Sequence, residues 1–207
     1  MSEARHSNSN QELFVQDLRK QTAPSHQKLE DNPLSKAILT ANVSVADYQQ
    51  YLSALYGVTA GCEATLFPAI EGIIWDLKSR YRSQLIVSDL LATGFSELQI
   101  AALPVYHFAW SSAADAMGAM YVLEGSTLGG RVLYKHIHKT LGFDASNGAS
   151  YFWGYGDQTG SMWKSFISSF TQFAMETGQG AEIINSATHT FTIIDTWLDE
   201  AVIESNK

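Results

Sequence analysis

The stretch YVLEGSTLGGRVLYKHI, from Tyr121 to Ile137, spaces its apolar residues for a helix but carries Gly125, Gly129 and Gly130 inside it. Each glycine costs a helix interior roughly 1 kcal/mol relative to alanine. A helix that keeps three of them needs its backbone close to something large and flat, or needs a hinge. The same period runs upstream through SSAADAMGAM and downstream to Gly142, the longest periodic run in the chain. Gly118 lies one heptad before Gly125, so Gly118, Gly125 and Gly129 are expected to share one stripe free of side chains. Helix packing through small residues is the competing explanation.

Outward from this run the pattern stays helical. Leu18, Thr22, His26 and Leu29 fall on one face of an early helix, flanked by Arg19 and Lys28. Pro24 either sits in the first turn of a helix capped by Thr22 or kinks a continuous one. NPLSKAIL reads as a short helix with Asn32 as N-cap and Pro33 in the first turn, and Ser44 with Asp47 forms a capping box for the next. WDLKSRYRSQLIVSDLLATG reads as one helix ending at Gly94, FSELQIAALP as a short one, ASNGASYFWGYGDQTGS as a glycine-rich aromatic loop, and two helices follow it. Strand signals are nearly absent. The expectation is one all-α domain of seven to nine helices over residues 11–207, preceded by a polar, disordered arm at 1–10.

Composition narrows the function. The net charge is −8 with only 13 Lys and Arg, which argues against nucleic-acid binding. The single cysteine, Cys62, allows neither an intrachain disulfide nor a cysteine zinc site. The first residues have no apolar core after their charges, and no stretch approaches a membrane span, so a cytoplasmic protein is expected. Gly125 and Gly129 match the membrane dimer motif, but Glu124 and Arg131 beside them reject it. No Glu-x-x-His, phosphate loop, dinucleotide fingerprint, Gly-x-Ser-x-Gly or His-Glu-x-x-His occurs. His136 and His138, two apart on a helix, diverge too far to chelate one metal. What remains is His26 on an apolar face, a glycine-interrupted helix, many aromatics and a few cations. That inventory suits a flat macrocycle with anionic tails, held by an imidazole on one side and bare backbone on the other.

LRKQTAPSHQKLE followed by YVLEGSTLGGRVL resembles the haem oxygenases, closest to the bacterial branch associated with phytochrome photoreceptors; the likeness extends over roughly residues 13–200. The resemblance implies that His26 is the proximal haem ligand, its other ring nitrogen fixed by an acceptor, and that Gly125 and Gly129 line the distal face. It implies that Arg19 and Lys164 meet the haem propionates and that Tyr56 joins the distal hydrogen-bond network. Ser126 stands where animal-type members carry an aspartate that holds the proton-delivering water, so Ser126 and Thr127 with water, or Asp115 or Tyr56, are the candidates here.

The activity so implied is oxidative opening of haem to biliverdin with release of CO and ferrous iron. Haem serves as cofactor and substrate, O2 as co-substrate, and electrons come from a ferredoxin, flavodoxin or reductase. A biliverdin-accepting photoreceptor is a further implied partner. Arg131, Lys135, His136 and Lys139 could form a basic patch for the donor, against the alternative of an ordinary solvated face. A haem carrier of the same fold without degrading activity is the second reading. A related helical fold that binds a thiamine-type or other small molecule without iron is the third.

Overall fold

Local caps fix the frame. The computed structural model describes the backbone of residues 2–205 and the side chains of residues 9–201. The first helix, α1, runs from Ser2 to Asp31 with Pro24 inside it, so the helix is continuous through the proline. No backbone break marks the boundary expected at residue 10. α2 spans Pro33–Ala37, and Asn32 caps it as expected by accepting from the Leu34 amide. The Asn32 side-chain amide also donates to the Asp195 carbonyl at 3.2 Å, to Asp195 Oδ1 at 3.0 Å and to Asp199 Oδ1 at 2.8 Å. Together with the Lys28–Asp195 ion pair at 2.8 Å, it locks the end of α1 onto the last helix.

α3 spans Val45–Thr65 behind the Ser44–Asp47 capping box, whose hydrogen bonds from the Ser44 hydroxyl and amide lower the Asp47 pKa. α4 is the short Phe67–Ile70 turn. The single helix expected after Trp75 is two elements: a 3-10 turn at Leu77–Arg80, then α5 from Ser83 to Ala92. The break has a tertiary cause. Glu63 of α3 accepts from the Arg82 amide and from the Ser83 amide and hydroxyl, capping α5 from another helix. α6 covers Glu97–Ala101.

α7 runs from Ala113 to Leu141 and ends at Gly142, where the periodic run is expected to stop, with a left-handed φ of +79°. The expected aromatic loop contains a short helix, α8, Ser150–Trp153, and a 3-10 turn at Gly156–Gln158. Asp89 caps α8 by accepting from the Ser150 and Tyr151 amides at 2.8 Å. α9 spans Thr159–Thr177 and α10 Gly180–Ser205. Ten α-helices among the described residues thus exceed the expected count, because short capped turns leave little trace in periodicity.

α10 packs along both α7 and α1, and α9 leans on the same two helices. One apolar cluster joins these four through Leu18, Met117, Met120, Phe166, Phe170 and Ile183. A second joins α3, α5 and α8 to the far end of α7 through Leu52, Leu90, Ile137 and Phe152. Among the described residues no helix is long and apolar enough to cross a membrane.

Candidate functional site

Arg19, Thr22 and His26 follow one another at three- and four-residue steps and so share a face of α1. Thr22 is buried and donates to the Leu18 carbonyl at 2.8 Å. This face meets α7 at Tyr121. Burial raises the Tyr121 pKa, while the Arg19 charge and hydrogen bonds with Arg19 and Thr22 partly offset it. The Tyr121 ring stacks on Phe170 at 5.6 Å and tilts against Trp163 at 5.8 Å; Phe14 of α1 also stacks on Phe170, at 5.6 Å. An aromatic seam therefore closes the junction of α1, α7 and α9.

The seam stops at Gly125. A Cβ there would meet only the Trp163 ring, at 3.9 Å, and a Cβ at Gly129 would meet nothing within 4 Å. From Tyr121 onward this face of α7 is bare backbone beside open space. Gly118 does not continue it. A Cβ on Gly118 would fall 2.5 Å from the Ile183 carbonyl and 2.6 Å from Ser186, so Gly118 is where α10 packs against α7. The expected three-glycine stripe divides because α10 covers one end of the face and leaves the other open.

His26 sits at the margin of the α1 face. Its side chain is 53% exposed, Nε2 lies 3.7 Å from Glu30 Oε1, and the ring packs edge-on against Phe191 of α10 at 5.2 Å. Lys164, next to Trp163 along α9, is exposed, as is Arg19. Tyr56 packs half-buried against the second cluster, which reaches α7 at Ile137 and, through Phe152, at Gly130, but not at Gly125 or Gly129. No three His, Cys, Asp or Glu among the described residues gather to hold a metal. A metal on His26 would take its other ligands from a non-protein group.

The hydroxyls after Gly125 bond back to their own helix. Ser126 donates to the Leu123 carbonyl at 2.6 Å, and buried Thr127 donates to the Glu124 carbonyl at 2.7 Å. Asp115 lies ten residues before Gly125, about 15 Å along the helix. It accepts from the Ser111 amide and hydroxyl at 2.9 and 2.7 Å. Burial works against its charge, but these bonds and those with Ser112 win, and its pKa is lowered. Asp115 is a cap. Replacing it by alanine should cost about 1 kcal/mol in thermal unfolding and leave ligand binding at the glycine face unchanged. That stabilisation is present above the ordinary aspartate pKa and is lost as pH falls through the lowered value, so the two proteins should converge in acid. Of the expected basic patch, Arg131 lies over the Trp153 ring at 4.1 Å and His136 against the Thr40 carbonyl at 3.0 Å, leaving Lys135 and Lys139 exposed.

Behind the glycine face lies a buried polar network that periodicity does not reveal. Arg80 is 1% exposed and pairs with Glu124, also 1% exposed, and with Asp76 at 2.7 Å; it donates to the Met162 carbonyl of α9 at 3.1 Å. The Tyr155 hydroxyl donates to Glu124 at 2.7 Å, and burial with the Glu124 charge pushes the Tyr155 pKa up. Arg82 donates to the Leu123 carbonyl at 2.9 Å and lies over the Tyr151 and Tyr155 rings. One signal was available: Glu124 falls on the buried stripe of Met117, Met120 and Thr127, where a lone carboxylate needs a cation. A separate cleft of about 420 Å³, lined by Ala54, Phe95, Leu103 and Trp197, includes neither His26 nor the glycines. There Trp197 donates to the Ala54 carbonyl and Gln49 to that of Thr93.

This architecture has known counterparts. A haem oxygenase of Neisseria meningitidis, determined with NO and CO bound, superposes with a TM-score of 0.74 at 23% identity, over 91% of each chain. Haem oxygenase from Leptospira interrogans gives 0.73 at 16% identity, over 90% of this chain and 98% of that one. Haem oxygenase-1 of the cyanobacterium Synechocystis, in complex with haem, gives 0.70 at 17% identity over 90% and 91%. No curated protein sequence matches the chain. At these identities the superpositions carry the fold alone, but the haem oxygenase family model matches residues 12–200, nearly the whole chain. By that match the chain belongs to the haem oxygenase family.

Proposed function

We propose that the chain binds haem between α1 and α7 and cleaves it oxidatively to biliverdin, CO and ferrous iron, with electrons supplied from outside. The observation that carries this reading is the end of the aromatic seam: side chains stop at the Trp163–Gly125 contact, one turn past the Tyr121 that meets Arg19 and Thr22 on the α1 face carrying His26. The residues fit the group. Bare backbone at Gly125 and Gly129 lets a flat macrocycle approach the helix, and exposed Arg19 and Lys164 suit its two carboxylates. Bound haem supplies both the metal that activates O2 and the ring that is cleaved.

The remaining roles follow from the side chains. His26 holds the iron through a ring nitrogen. Glu30, one turn on along α1 with Oε1 3.7 Å from Nε2, is the carboxylate within reach of the imidazole and the acceptor that orients it. Phe191 limits the ring's rotation. Because the Ser126 proton is committed to the Leu123 carbonyl, Ser126 serves the open face as an acceptor that holds water. Product release to a photoreceptor rests on the sequence resemblance to the phytochrome-associated branch.

The bonding of the Ser126 and Thr127 hydroxyls to carbonyls of their own helix also favours a second reading, a haem carrier whose open face lacks a free hydroxyl proton. Adding haemin, then ascorbate or a ferredoxin system in air, separates the two. The enzyme should lose its Soret band as the broad red absorption of biliverdin grows. His26→Ala should weaken haemin binding at least about tenfold, or about 1.4 kcal/mol. A stable Soret band would make the protein a carrier, and no Soret band at all would remove haem from the account.

A further inference from the structure

The two arginines of the sequence RYR, Arg80 and Arg82, are both buried, and both end on consecutive residues of α7. Arg80 pairs with the Glu124 carboxylate. Arg82 donates to the Leu123 carbonyl. The next residue is Gly125, where the bare face begins. We infer that Arg80 and Arg82 are positioning residues that clamp α7 at Leu123–Glu124 and so set where the glycine face stands relative to α9; their relevance to haem rests on the function proposed above.

The Leu123 carbonyl shows why a clamp is needed there. In an α-helix it accepts from the Thr127 amide. Here it also accepts from Ser126 Oγ and from Arg82 Nη2. An oxygen with two lone pairs serves three donors, and Thr127 adds a second donor to the Glu124 carbonyl. Side chains that insert into the helix ladder loosen and bend it, and glycines at 125, 129 and 130 add backbone freedom immediately downstream. Left alone, this segment would sample many positions.

The guanidiniums restrict that sampling from a fixed base. Arg80 reaches the Met162 carbonyl, one residue before the Trp163 that faces Gly125, so a single side chain ties both walls of the opening. Asp76 holds Arg80 through two hydrogen bonds at 2.7 and 2.8 Å. Arg82 is held between the Tyr151 and Tyr155 rings at 5.2 and 5.9 Å, and its own amide is fixed by Glu63. Burial opposes the Arg82 charge, the Glu124 and Glu63 carboxylates favour it, and the guanidinium stays protonated. The planar fork is what the site uses: it stacks and donates at once, which an ammonium cannot do.

Hydrogen exchange on the haem-free protein tests the clamp directly. Arg82→Gln should speed exchange of amides 125–131 at least tenfold while amides 113–121 and those of α10 keep wild-type rates. Arg82→Lys, which retains the charge and is the variant to use if glutamine prevents folding, should give the same local increase. Unchanged exchange at 125–131 would overturn the clamp, and so would an equal increase throughout α7, α9 and α10, the mark of general destabilisation. A parallel haemin titration keeps the two questions apart: wild-type protein that binds no haemin sinks the proposed function and leaves the exchange result to stand alone.

Discussion

Gly118→Ala is expected to destabilise the protein by about 3 kcal/mol, whereas Gly129→Ala, the same change eleven residues along the same helix, should stabilise it by about 1 kcal/mol. At Gly118 the new methyl would fall 2.5 Å from the Ile183 carbonyl and 2.8 Å from the Ala187 amide. Those are backbone atoms of α10 and cannot swing aside, so the long α7–α10 contact must open. At Gly129 the methyl enters open space and contributes only its helix preference. For a chain of this size each kcal/mol moves Tm by about 2–4 °C, so the two variants should melt on opposite sides of the wild type. Haemin titration should give the reverse picture at Gly129, with tighter folding and weaker binding, because the methyl occupies the proposed haem face. A Gly129→Ala protein that melts lower would return that glycine to helix packing. One that melts higher and binds haemin as well as wild type would remove the bare face from the site.

What was legible in the sequence was local. The caps at Asn32 and Ser44 and the left-handed Gly94 after α5 lie within a few residues of the turns they stabilise, and all are present. The face shared by Arg19, Thr22 and His26 follows from helix period alone. Features set by distant segments were not legible. Glu63 caps α5 across 20 residues and Asp89 caps α8 across 61, and neither leaves a pattern in the helix it terminates. Gly118 and Gly125 look equivalent by period, yet α10 covers one and not the other. Likewise the sequence places His26 on an apolar face, but its neighbours there are Glu30 on its own helix and Phe191 at the other end of the chain. The residue types of the proposed haem site were therefore legible, while the buried network behind the glycine face was not.

The second large effect is expected at Arg80. Its side chain is fully buried between Glu124 and Asp76, which are 1% and 8% exposed. Arg80→Ala leaves two buried carboxylates without their cation and deprives the Met162 carbonyl of its donor. Breaking a buried pair from one side costs about 3–5 kcal/mol, chiefly through the charge left behind rather than the attraction lost. A companion double variant distinguishes those contributions. In Arg80→Met with Glu124→Gln the cation and one of the carboxylates are replaced by neutral groups of similar size, and Tyr155 keeps an acceptor. That protein should recover at least half of the loss in denaturant unfolding, because less uncompensated charge remains buried. Non-additivity of this size is the signature of groups that act as one unit. If Arg80→Ala cost less than about 1 kcal/mol, the range of an exposed ion pair, water would have to reach Glu124, and the core beneath the glycine face would be far wetter than its burial indicates.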